Sequence, residues 1–155
     1  MLHKDFRDFL ALLAEHKVRH LVVGGYAVAV HGYPRYTGDL AIFIALDPST
    51  AEAVTEAFID FGFSEADINA DTFLIPKSIV EVGHEPLKLH VMNSISGVAF
   101  DDAYADRQTV QIDNLDVPFI GYEDLVRNKA ATGRGKDRVD IDELARRRKA
   151  CPPSD

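Results

Sequence analysis

The chain has a single cysteine, Cys151, near its C-terminal end. One thiol cannot close an internal disulfide. No metal-ligand spacing surrounds it, so a reducing, cytoplasmic setting is the expectation. Long apolar runs are missing as well. No stretch approaches the roughly 20 apolar residues that a membrane-spanning helix needs. The N-terminal residues 1–9 carry acids and have no apolar core segment, which argues against a secretory signal. Basic residues are scarce over most of the chain: residues 1–126 contain 8 Lys and Arg against 20 Asp and Glu. That part should repel polyanions. There is no internal repeat, low-complexity tract or linker.

What is present describes an ordinary globular chain. Its 155 residues are 46% apolar and 27% charged, enough for one domain with a real core. Residues 1–150 are expected to form that domain, and residues 151–155 a disordered tail. Net charge is −8, but residues 127–155 hold 9 basic and 5 acidic side chains. A phosphate-bearing ligand would therefore draw countercharge from the C-terminal segment. The plainer reading of residues 146–149 is a solvated basic helix end.

Periodicity locates the elements. Phe6, Phe9, Leu10 and Leu13 form one helical stripe over residues 4–16. Leu21-Val22-Val23 is a short buried strand stopped by Gly24-Gly25. Residues 26–31 suit a short helix, closed by Gly32 and Pro34. Residues 40–45 form the next strand. Asp47-Pro48-Ser49-Thr50 opens a helix that Gly62 ends. Residues 72–76, 78–83 and 87–92 read as three short strands, with a turn at 83–86 between the last two. A short helix over 100–107, a hairpin around Asn114, and helices over 122–131 and 137–148 complete the chain. Strands and helices mix without strict alternation, which predicts an α+β fold with a mixed sheet and helices packed on it.

The chemistry concentrates in residues 21–44. A Gly-Gly turn between a strand and a helix lets backbone approach a ligand closely and points N–H groups at it, and phosphate is its natural occupant. Asp39 follows at the mouth of a strand. Residues 39 and 41 share one strand face, where two carboxylates could hold a pair of Mg²⁺ ions against nucleotide phosphates. Position 41, however, is alanine.

The segment resembles the nucleotidyltransferase superfamily, in which a Gly-Gly or Gly-Ser turn precedes Asp-x-Asp. More narrowly it is similar to small bacterial AbiEii-like and minimal-nucleotidyltransferase proteins, some of them toxin–antitoxin components. The resemblance extends to residues 94–100 (Ser-Ile-Ser-Gly-Val-Ala-Phe) and 128–137, in the family's order. It implies a nucleotidyltransferase-like fold with a mixed central sheet flanked by helices, a nucleoside triphosphate substrate, Mg²⁺ and transfer of a nucleoside monophosphate. The acceptor is left open: small molecule, protein or RNA. It matches Gly24 and Gly25 to the phosphate turn, with Tyr26, Arg35 and Thr37 nearby, and Lys129 to a lysine beside the phosphates. Asp39 matches the first metal carboxylate. Ala41 stands at the second and His90 at the third, so one acid of three remains.

Lys88 and His90 share a strand face and could meet phosphate directly. Plainer roles stand beside these. Asp39 could cap a turn, and His90 could be a half-buried sheet histidine. Arg35 and Tyr36 could be loop residues, and Lys129 a surface lysine. Asp137 and Asp140 read as helix-start and salt-bridge residues. Glu81 could replace a missing acid only if strand register brings it there. The other histidines show no metal-site spacing. Three functions remain open: impaired nucleotidyl transfer, a nucleotide-binding protein without catalysis, or a protein-interaction module. A replaced catalytic aspartate would account for Ala41 but not for His90. The small size, without a separate acceptor-binding domain, suggests a homodimer or a partner chain.

Overall fold

A computed structural model describes residues 2–84 and 86–150. The expected tail at 151–155 lies outside the described residues. The chain forms a six-stranded mixed sheet flanked by helices. The elements are α1 (Lys4–Glu15), β1 (His20–Val23), α2 (Gly24–Val30), β2 (Asp39–Ile44), α3 (Pro48–Phe61), β3 (Ile79–His84), β4 (Leu87–Met92), α4 (Phe100–Ala105), β5 (Gln108–Ile112), β6 (Leu115–Phe119), α5 (Tyr122–Thr132) and α6 (Gly135–Ala150). Strand order is β3-β4-β2-β1-β6-β5. The β2–β4 and β1–β6 pairs are parallel, and the other three neighbouring pairs are antiparallel.

Local chemistry sets the boundaries. The Asp47 carboxylate accepts from the Thr50 backbone N–H at 2.7 Å, and Pro48 occupies the first helical turn of α3. Gly62 ends that helix at φ 125°, where a side chain would be strained. On α1 the stripe Phe6, Phe9, Leu10 and Leu13 is buried, and Phe9 packs on Phe58 of α3 with ring centroids 4.8 Å apart. Beneath these helices, Leu40, Ile42 and Ile44 of β2 and Leu89 and Val91 of β4 line the buried sheet face. The other face of β2 presents Asp39, Ala41 and Phe43, the last covered by Phe100 of α4 at 5.1 Å.

One element differs from expectation. Residues 72–76 do not form a strand; a 3₁₀ helix spans Ala70–Leu74. Asn69 caps it by accepting from the Asp71 N–H at 2.8 Å, and Pro76 removes a donor that a central strand would need. The buried Asn93 then satisfies the segment. Its amide donates to the Phe73 and Ile75 carbonyls at 3.0 and 2.8 Å, and its oxygen accepts from the Lys77 N–H at 2.9 Å. A side chain thus does the hydrogen bonding that a neighbouring strand would otherwise do.

The two C-terminal helices close the structure. Gly97 lies against α5, where an added Cβ would meet Ala131 Cβ at 2.7 Å, and Asn128 donates to the Ser96 carbonyl at 3.0 Å. α6 docks through Leu144 and two buried acids, Asp137 and Asp140.

Candidate active site

The site lies at the start of β2, where α2, β2 and β4 meet. Register fixes its layout. Val23, Ala41, His90 and Glu81 form one cross-strand row, and Asp39, Lys88 and Gly83 form the next. The two departures from the expected acid set, Ala41 and His90, are therefore direct neighbours. Ala41 also faces the glycine turn: a Cβ added to Gly24 would sit 3.3 Å from Ala41 Cβ. Gly24 has φ 71°, which glycine adopts without the cost a side chain brings. A Cβ on Gly25 would come within 2.9 Å of Thr37 Cβ, so the turn and the loop before β2 are in close contact.

Thr37 shapes the entrance to β2. Its hydroxyl accepts from the Asp39 N–H at 3.2 Å and donates to the Asp39 carbonyl at 3.3 Å. That occupies the backbone of Asp39 and leaves its half-exposed carboxylate facing β4. There the His90 Nε2 lies 3.8 Å from Asp39 Oδ2, and His90 Nδ1 lies 3.4 Å from Glu81 Oε2. Glu81 also reaches Lys88, with Nζ 3.2 Å from Oε1. The imidazole thus stands between two carboxylates, and a lysine shares one of them. Register does bring Glu81 to the site, but on the far side of His90 from Asp39.

This donor set does not suit the magnesium pair that the resemblance implied. Mg²⁺ demands near-octahedral oxygen ligands and prefers carboxylates and water to imidazole. Here the β2 face offers one carboxylate and one methyl group, and a ring nitrogen stands at the third position. Among the described residues no group of three or more His, Cys, Asp and Glu could hold a metal ion.

Lys129 and Arg35 are placed together, through α6. Lys129 is buried, and its Nζ contacts Asp137 Oδ1 at 2.7 Å and Asp140 Oδ2 at 3.2 Å. Arg35 makes both of its bonds to Asp140 at 3.0 Å. Burial alone would raise the Asp137 carboxyl. Hydrogen bonds from Lys129, Thr132 and Arg134 more than offset that and hold it at about 2. Both cations are therefore engaged by buried acids. Tyr26 packs edge-on against Phe6. Burial raises its hydroxyl pKa, and Tyr36 and Asp39 add to the shift.

Asn93 and an apolar cleft beside Tyr26 had no mark in the sequence, and the Arg35–Asp140 pairing was marked only in that Asp140 read as a salt-bridge residue. Each depends on contacts between distant segments. The only hint was the presence of two acids, Asp137 and Asp140, three residues apart on a helix with no apolar stripe.

The fold and the placement of the glycine turn beside β2 define a nucleotidyltransferase-type protein. The chain belongs to the family described as nucleotidyl transferase of unknown function (DUF2204), whose profile matches residues 2–151. No curated protein matches it in sequence. Among solved structures it is similar to a Thermotoga maritima protein assigned to the nucleotidyltransferases, with TM-score 0.60, 18% identity, and coverage of 91% of this chain and 90% of the other. It is also similar to the lincosamide antibiotic adenylyltransferase LnuA in its lincomycin-bound form, with TM-score 0.58, 18% identity, and coverage of 94% and 97%. At these identities the likeness establishes the fold.

Proposed function

We propose that this chain binds a nucleoside triphosphate between the Gly24-Gly25 turn and the Asp39–His90 face, and that its nucleotidyl transfer is impaired. The observation that carries the reading is the adjacency of Ala41 and His90. Two positions where the resemblance implies an acid lie side by side, and one of them, Ala41, faces the glycine turn. Without paired carboxylates, phosphate would meet N–H groups of the turn, the His90 ring and Lys88.

The residual chemistry follows from what remains. An acceptor hydroxyl attacks the α-phosphorus, the bond to pyrophosphate breaks, and the hydroxyl proton passes to Asp39 or to water. Asp39 is suited to that proton because its backbone is fixed by Thr37 while its carboxylate stays solvent-accessible. Preorganised electrostatic stabilisation is often the largest catalytic contribution, so this remnant should be slow.

Replacing Ala41 by Asp tests the reading. It returns a second carboxylate to the face of Asp39, beside Gly24. Transfer from labelled triphosphates in Mg²⁺ should rise on the order of 10²-fold. The double variant Ala41→Asp, His90→Asp should rise further. No gain in either variant would sink the assignment of positions 41 and 90 to the catalytic face.

A further inference from the structure

A second feature lies on the opposite side of β2 from Ala41 and His90. It is a cleft of about 530 Å³. Its floor is the buried sheet face at Val22, Leu40 and Phe119, and Leu10, Val30 and Ile112 are among its walls. That volume falls within the ~300–1,000 Å³ of small-molecule pockets. The lining is almost wholly aliphatic and aromatic.

The polar lining residues narrow the ligand. Arg35 is the one Lys or Arg side chain among them, and its guanidinium already makes two bonds to the buried Asp140. The ring Nδ1 of His3 accepts from the Asp5 backbone N–H at 3.1 Å. Among the described lining residues a charged guest would find little countercharge, and burying it there would be costly. Thr37 and Tyr26 bring hydroxyls to the lining. Thr37 is bonded to the backbone of Asp39.

We propose that this cleft is a binding site for a neutral, largely apolar small molecule carrying a hydroxyl. This ligand chemistry does not depend on the nucleotidyl-transfer reading above.

The test uses N-phenyl-1-naphthylamine, a neutral fluorophore, titrated into the full chain. Competition with 2-naphthol and with 2-naphthoate separates a neutral hydroxyl ligand from an anion of similar size. Saturable one-to-one binding is expected, with 2-naphthol the better competitor by about tenfold, a difference of about 1.4 kcal/mol. The variants Ala29→Phe and Ile112→Trp fill the cleft from opposite walls, and each should weaken the probe by about tenfold or more. Circular dichroism and thermal melting confirm that at least one of them is folded. The proposal is overturned by absent or non-saturable probe binding, by preference for the anion, or by unchanged binding in a folded, filled variant. ATP titrated into the same protein reads the other site: probe binding without ATP binding supports the cleft and contradicts the nucleotide reading.

Discussion

His20 shows how one residue couples this fold to pH. It is buried on β1, and its Nδ1 donates to the Val18 carbonyl at 2.8 Å. Burial lowers its pKa from 6.5 to about 4. The unfolded chain therefore binds a proton that the folded chain refuses. The stability from neutral His20 is complete above about pH 6.5 and is lost as pH falls towards 4, by roughly 3 kcal/mol. Chemical denaturation at pH 7.5 and pH 4.5 should show that loss, and His20→Gln should reduce it. Gly38 is a second residue whose identity is fixed by space. A Cβ there would sit 1.8 Å from the Pro86 carbonyl oxygen. The adjoining backbone cannot part without breaking the bond from the Lys88 N–H to the Gly38 carbonyl at 3.0 Å. Gly38→Ala should cost about 3 kcal/mol in a denaturant titration. At the same scale, the register of β2 on β4 decides what His90 is: a ring between Asp39 and Glu81.

Among the elements, α6 is the least like its sequence. A helix without an apolar stripe usually lies on the surface. This one docks by Asp137, Asp140 and Leu144, with Lys129 of α5 and Arg35 of the α2–β2 loop as its partners. Removing one partner of a buried pair leaves a stranded charge, which costs about 3–5 kcal/mol. Lys129→Met should lower stability in a thermal or denaturant melt by less than that, about 1–3 kcal/mol, because Asp137 keeps Thr132 and the exposed Arg134 and Asp140 keeps Arg35. Arg35→Met should cost less, because Lys129 still neutralises Asp140. It should also loosen the loop that ends in Thr37, read as faster amide exchange there. The capped elements were legible in the sequence. Asp47, Pro48 and Thr50 at one end of α3 and Gly62 at the other act within a few residues. The segment at 72–76 was misread as a strand because the residue that organises it, Asn93, is remote in sequence. The docking of α6 was hidden for the same reason. Asp137 and Asp140 were visible as salt-bridge residues, but not their partners.

At the scale of the whole molecule, the order of glycine turn, Asp39 strand and closing helices made the fold readable from sequence. The Thermotoga maritima protein and LnuA share that fold. The candidate site was half legible. Alternation alone put residues 39 and 41 on one face. Pairing across strands was needed to make Ala41 and His90 neighbours and to set Glu81 beyond them. The apolar cleft was not legible at all, since its walls come from α1, α2, the sheet and the β5–β6 hairpin. The account's central claim is that this face binds nucleotide without a magnesium pair. Calorimetric titration of ATP with Mg²⁺ and with EDTA tests it most directly. The account predicts saturable ATP binding whose affinity changes by less than about threefold between the two conditions, less than about 0.7 kcal/mol. Binding that appears only with Mg²⁺, or tightens about tenfold or more, would contradict it.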